Sequence, residues 1–448
     1  MATDAQGNLT RDWYYGDENN QPNELNEPDN ITINFCEIEH SKGITSLSGG
    51  LHSFQVVYSL FNESAKCFVQ ILDTTELLAD LDIDGTEILR IGWNSQDDSE
   101  ILAEFNVYKI DIQVDKNSGA GGKVYYMTGI DPTYMRQLTM DVNRSFEGKI
   151  DEMVETVFSE IGNAPKQNIT NKIFNLHETT GVLKLIVPGE TPFETIAKFQ
   201  RYAYSSKYQS SLFYFYQNSV GYVWANAERL IGEGRDDRYT HTYAYNPRGA
   251  GTRPTKEAKF TIAEIDFPKG KNMIDKITSG AYASRVNEID LVNQKIDTTE
   301  LVLKENFNDF YHLDKPAISL DKLTAIDQYL NIINTTEWLN KYTNNFNWGP
   351  NLTRAKFYGD SLNQVKMNCV VQGNSNLDPG HILDLAMLEI SANKENPQQE
   401  KKISGKWLID TVVHHYKGGK YVCSLSCAKE SHRANVEDLS QYIIGDRK

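Results

Sequence analysis

Two stretches decide the fold: VKMNCVVQGNSNLDPGHILDL, residues 365–385, and SGKWLIDTVVHHYKGGKYVCSLSC, residues 404–427. In the first, Val365, Met367, Cys369 and Val371 recur at every second position, the period of a strand with one buried face. Asn376-Leu377-Asp378-Pro379-Gly380 then presets a turn, because Pro fixes φ and Gly accepts backbone angles that other residues resist. His381 to Leu385 opens a second strand. A polar tract from Ser391 to Lys402 intervenes. Gly405 to Tyr416 and Tyr421 to Cys427 follow as two arms around the tight Lys417-Gly418-Gly419-Lys420 turn. Strands in this order close a small antiparallel β-barrel.

The front of the chain repeats the theme. From Ile31 to about Met140 the pattern is strand upon strand, with Phe54, Val56, Tyr58 and Leu60 alternating, then Cys67 to Leu72 and Ile88 to Trp93. This fits another antiparallel barrel. Between Glu104 and Val114 the apolar phase shifts from Phe105 and Val107 to Ile110, Ile112 and Val114, which predicts a bulge near Tyr108-Lys109. Between the barrels the period changes to helical. Ile150, Met153, Val154, Val157, Phe158 and Ile161 form one apolar stripe ended by Gly162. Thr191-Pro192-Phe193-Glu194 spells a capping box for a second helix, expected to reach about Ser205. The aromatic strands Leu212 to Tyr216 and Val220 to Trp224 follow, around a Gln217-Asn218-Ser219 turn.

These quoted stretches carry a resemblance. The proline-glycine turn into HILDL, then SGKWLIDTVVHHY, a Gly-Gly turn and YVCSLSCAKES resemble the last strands of the central baseplate hub proteins of contractile-tailed bacteriophages. The bodies of type VI secretion spike proteins are similar. The helix, the PGETPF cap, the next helix and the strand pair SLFYFYQNSVGYVWANAERL come in the order those hubs show. The resemblance covers most of residues 31–430 and rests on pattern and element order, with no diagnostic motif.

The expected fold is therefore mainly β with α/β parts: two antiparallel β-barrels per chain, an α/β domain and a helical insertion. The expected divisions are an extended N-terminal arm at 1–30, a first barrel at 31–140 and an α/β domain at 141–254. A second barrel at 255–300 and 354–430 is split by a helical insertion at 301–353, and 431–448 is a C-terminal tail. Within these, Arg235 to Thr255 is expected as a linker, Asn272 to Ser279 as a short helix, and Asp321 to Asn334 as a helix through Leu323, Ile326, Leu330 and Ile333.

The resemblance implies a homotrimer whose six similar barrels form a pseudo-sixfold ring, joining a hexameric tail tube protein to a trimeric central spike protein. It further implies baseplate wedge and tape-measure proteins as partners, DNA only as cargo passing through the channel, and a place in the virion tail baseplate after assembly in the host cytoplasm. A contractile injection system of another kind, such as a secretion spike, is the alternative. A longer chain with a β-helical spike or an effector would point that way, so an end at Lys448 after a short polar tail favours the phage hub.

Length and composition agree with these expectations. The 448 residues suit about three or four domains, and no run approaches the ~18 apolar residues of a membrane span. The first residues lack the basic and apolar segments of a secretory leader, so export by that route is not expected. Five cysteines at scattered positions give no disulfide framework and suggest a reducing compartment. Cys423 and Cys427 could form half a metal site, but four apart on one strand face they suit core packing better.

Charge is concentrated at the front, where residues 1–110 hold 20 Asp and Glu against 5 Lys and Arg, nearly all of the net −16. Such a surface repels phosphates, which argues against nucleic-acid gripping and suits either an acidic channel lining or simple solubility. In the arm, Trp13-Tyr14-Tyr15 is the one candidate partner-docking site. It could dock on a neighbour or fold back onto its own barrel.

No catalytic, cofactor or metal residue is assigned. Asp80-Leu81-Asp82-Ile83-Asp84-Gly85 opens like an EF-hand loop, yet Ile91 stands where the bidentate Glu belongs. His414-His415 are neighbours on a strand and point to opposite faces, so they cannot share an ion. The other histidines lack ligand spacing. The glycines of 119–122 lack the Lys and helix of a phosphate cradle. Asp97-Asp98 and Asp236-Asp237 are the acid pairs a cell-wall-degrading tail enzyme would need, but any acidic chain supplies such pairs. The chain is expected not to be an enzyme.

Overall fold

The computed structural model describes residues 31–74, 87–95, 100–114, 122–163, 173–232, 240–245, 260–269, 283–290, 294–302, 306, 309–313, 329–333, 348–387, 400 and 403–430. The chain is mainly β. Its first seven strands are β1 (Ile31–His40), β2 (Gly43–Ser46), β3 (Leu51–Ser59), β4 (Lys66–Asp73), β5 (Ile88–Ser95), β6 (Ile101–Val114) and β7 (Lys123–Ile130). They pair antiparallel in the order β2-β1-β5-β6-β7-β4-β3. The alternation read from sequence faces inward, with Phe54, Val56 and Tyr58 buried. Between Val107 and Lys109 the β6–β7 register slips, leaving Tyr108 as the extra, exposed residue. The bulge is where the apolar phase changes.

The middle of the chain supplies α1 (Pro132–Gln137), β8 (Val142–Gly148), α2 (Ile150–Asn163), β9 (Ile173–Leu176), β10 (Leu183–Glu190), α3 (Pro192–Gln200), β11 (Phe213–Gln217), β12 (Gly221–Asn226) and α4 (Ala227–Ile231). The stripe of α2 is buried at Ile150, Met153, Val154, Val157 and Ile161, and the helix runs through Gly162 to Asn163. Thr191 and Glu194 form the capping box of α3. That helix stops at Gln200 and not near Ser205. The cause is competition for backbone groups: Tyr204 O accepts from Thr180 N at 2.7 Å, and Ser205 exchanges two hydrogen bonds with Ser210. Every residue of β11 and β12 is buried. Phe213, Phe215, Tyr222 and Trp224 face the helices, while Tyr214, Tyr216, Val223 and Ala225 face a second core with Ile382 and Leu408. A strand pair covered on both faces reads as continuous apolar and aromatic sequence.

The rest comprises β13 (Thr240–Tyr245), β14 (Ile262–Lys269), β15 (Ala283–Asp290), β16 (Lys295–Val302), β17 (Tyr329–Ile333), α5 (Trp348–Leu362), β18 (Val365–Gln372), β19 (Ile382–Met387), β20 (Gly405–Lys417) and β21 (Lys420–Lys429). The closing strands stand as expected, and Gly418 and Gly419 both have positive φ (58° and 83°), as a two-residue hairpin loop demands. Their connection to the front is new. β20 pairs with β3 from Thr411↔Ser59 to Lys417↔Ser53, so early and late strands belong to one 13-stranded sheet over one shared core.

Three expectations need correction. The supposed linker 235–255 contains β13, whose buried Tyr243 and parallel ladder with β19 build it into the main sheet. β15 and β16, expected in the second barrel, instead form a separate sheet with β17. Of the helix expected at 321–334, residues 321–328 and 334 lie outside the described residues, and the described part, Tyr329–Ile333, is a strand that carries the β-favouring Tyr329, Ile332 and Ile333 and pairs with the edge of β15. Among the described residues of this region, the long helix is α5, which begins at Trp348 and continues beyond the expected insertion to Leu362.

Candidate functional site

The tip of the β11–β12 hairpin is wedged between the front strands and the closing ones. Gln217 Oε1 accepts from Ala65 N (2.9 Å) and its Nε2 donates to Asp131 (2.8 Å). Asp131 also caps α1 through Thr133 N and accepts from the Tyr222 hydroxyl at 2.9 Å. On the other side Ser219 donates from N (2.9 Å) and Oγ (2.6 Å) to Asp378 in the proline-glycine turn. Burial pushes Asp378 up to about 7, with the Ser219 hydrogen bonds opposing it. Gly380, at φ +86°, leaves room for the Tyr216 hydroxyl, which a Cβ would meet at 2.7 Å. The turn chemistry therefore docks the hairpin.

Beside this joint lies a cleft of about 460 Å³ lined by Tyr58, Arg90, Leu102, Glu104, Val220 and Ser375, among others. Its β1–β5–β6 wall carries part of the front-loaded acid. Arg90 lies 2.9 Å from Glu104 and 3.8 Å from Glu37, and donates to Glu39. Burial opposes the charge of Arg90, but hydrogen bonds to Glu104 and Glu39 outweigh it and hold the guanidinium above its ordinary value. Among the residues lining the cleft Glu100 and Glu104 outnumber the one cation, Arg90, so the wall is net negative.

Trp13-Tyr14-Tyr15 lies outside the described residues, as do Asp80 to Gly85, Asp97-Asp98, Gly119 to Gly121, Asp236-Asp237 and Asn272 to Ser279. His414 and His415 diverge as the strand requires. Burial lowers His414 to about 3, and its Nδ1 sits 2.7 Å from the Tyr421 hydroxyl, which also accepts from Trp93 Nε1 at 3.1 Å. His415 is lowered to about 4 by burial and Lys417. Cys423 and Cys427 are fully buried in the shared core, and burial raises the Cys427 thiol well above its ordinary range. Among the described residues no group of three or more His, Cys, Asp or Glu could hold a metal. Sequence reasoning missed the Gln217–Asp131 and Ser219–Asp378 joints, although the tight turn and the Asp-Pro-Gly motif marked where each would form. It also missed a pair, His241 and His381, that meets across 140 residues.

No protein-family model and no curated protein matches the sequence. Solved structures do match. The chain is similar to the tail protein from Neisseria meningitidis MC58, with a TM-score of 0.51 and 8% identity over 89% of this chain and 97% of that one. The 43 kDa tail protein of prophage MuSo2 from Shewanella oneidensis overlays with a TM-score of 0.53 and 9% identity, over 89% of this chain and 99% of that one. The chain has the fold of a phage tail protein. A component of the Escherichia coli type VI secretion system is a weaker match, with a TM-score of 0.42 and 9% identity, over 91% of this chain and 78% of that one. Among the described residues, no helix is long and apolar enough to cross a membrane.

Proposed function

We propose that the chain is a structural subunit of the virion tail, the central hub of a contractile baseplate. Three copies form a ring that joins a hexameric tail tube to a trimeric spike and surrounds the path of the DNA, with wedge and tape-measure proteins as further neighbours. Assembly takes place in the host cytoplasm. The role is mechanical and not enzymatic. The observation that carries this reading is the extent of the likeness, which takes in 89% of this chain and nearly the whole of two tail proteins.

The physical character of the body supports it. A subunit that transmits load needs its halves joined, and the β3–β20 ladder with the Gln217 and Ser219 joints does that. The negative wall around Arg90 suits a surface that DNA passes without adhering. The test is the mass in solution by light scattering after size-exclusion chromatography. A particle of three times 50.9 kDa is expected. A chain that stays monomeric even when co-expressed with tube and spike proteins would overturn the proposal.

A further inference from the structure

The described residues bring two histidines together at the end of the main sheet. His241 lies on β13 and His381 immediately before β19, and His241 Nε2 is 3.0 Å from His381 Nδ1. The ring centroids are 5.2 Å apart with planes at 24°. That is about as far apart as the centroids can be with nitrogens at this distance, so the rings meet edge to edge, nitrogen facing nitrogen. Both are partly exposed. Their carriers are fixed: β13 pairs with β19 from Thr240↔Ile382 onward, His381 N donates to Asp378 O (3.2 Å), and His381 O accepts from Ile409 N (2.9 Å).

We infer that His241 and His381 form a binding site for a divalent transition ion of the zinc, nickel or copper class. Imidazole nitrogens bind these ions at about 2.0–2.1 Å, so a pair 3.0 Å apart would subtend about 91–97° at the ion, between square-planar and tetrahedral angles. Each ring turns by roughly 40° for its lone pair to reach the ion at that distance. Without metal, one facing nitrogen carries the N–H and the other accepts it. On binding, that proton moves to the far nitrogen of its own ring, two nitrogen–metal bonds form, and a neutral pair releases no proton. Among the described residues no third His, Cys, Asp or Glu completes the set.

The test uses untagged, chelator-treated full chain titrated with zinc near neutral pH by calorimetry. One ion per chain is expected. His241→Gln and His381→Gln should each weaken binding by about tenfold or more, since loss of even a ligand's outer partner has effects of that size. No heat, or heat unchanged in both variants, overturns the inference. Should either variant fail to fold, the wild-type chain loaded with one equivalent of copper decides by electron paramagnetic resonance. Two coordinating imidazole nitrogens support the site, and one or none refutes it.

Discussion

Glu228, on α4, is fully buried, and its carboxylate meets no hydrogen-bond donor in good geometry, the Ser210 hydroxyl giving it only weak support. Its backbone is secured instead, with N–H donating to Asn226 at 3.1 Å. Burial raises the carboxyl from 4.5 to about 7, and Ser210, Arg354 and His312 offset this only in part. The folded chain thus holds a proton that the unfolded chain releases. The group's effect on stability is neutral below about pH 4.5, turns unfavourable as pH rises toward 7, and stays so above. Glu228→Gln should therefore raise stability at alkaline pH by on the order of 2 kcal/mol and change little near pH 4.5. Urea unfolding at the two pH values checks this, and equal effects at both would refute it. Nothing in the local sequence announces Glu228. It sits among Ala, Arg and Leu like any helix-surface acid, and its burial comes from an aromatic core that includes the distant Phe310 and Tyr358.

Among elements, the β11–β12 hairpin separates two cores, and Gln217 ties its tip to the front strands. Replacing Gln217 with Ala leaves Ala65 N and one Asp131 oxygen buried without that partner. We expect a loss of about 2–3 kcal/mol in denaturant unfolding, and a change under about 0.5 kcal/mol would show that the joint does not depend on it. Elements were legible where a local signal sufficed. α2 follows from its stripe, the start of α3 from Thr191 and Glu194, and the β6 bulge from a phase change. They were misread where the deciding contact lay elsewhere. The alternation of β13 is flanked by Arg, Asp, Gly and Pro, and the short apolar run of β17 fits helix or strand until β15 is placed beside it. His241 and His381 lie beyond any spacing rule for the same reason.

For the whole molecule, the shared sheet makes a claim about cooperativity. Trp93 lies in the front strands and Trp407 in the closing ones, yet both belong to one core. Versions of the chain keeping only one of these tryptophans should give superimposable unfolding curves, as a single cooperative unit requires. Separated midpoints would mean that β3 and β20 are in contact without being coupled.

That ladder also has a consequence for synthesis on the ribosome. Ser59 and Thr411 share a buried hydrogen bond although 352 residues separate them. At ~5–20 residues per second the edge of β3 waits roughly 20–70 s for its partner to be made. Until then it is an open template for any other strand nearby, including the same edge on the next nascent chain of a polysome. Chains released before Gly405 keep that edge permanently, so nonsense fragments of this protein should be stickier than their composition suggests.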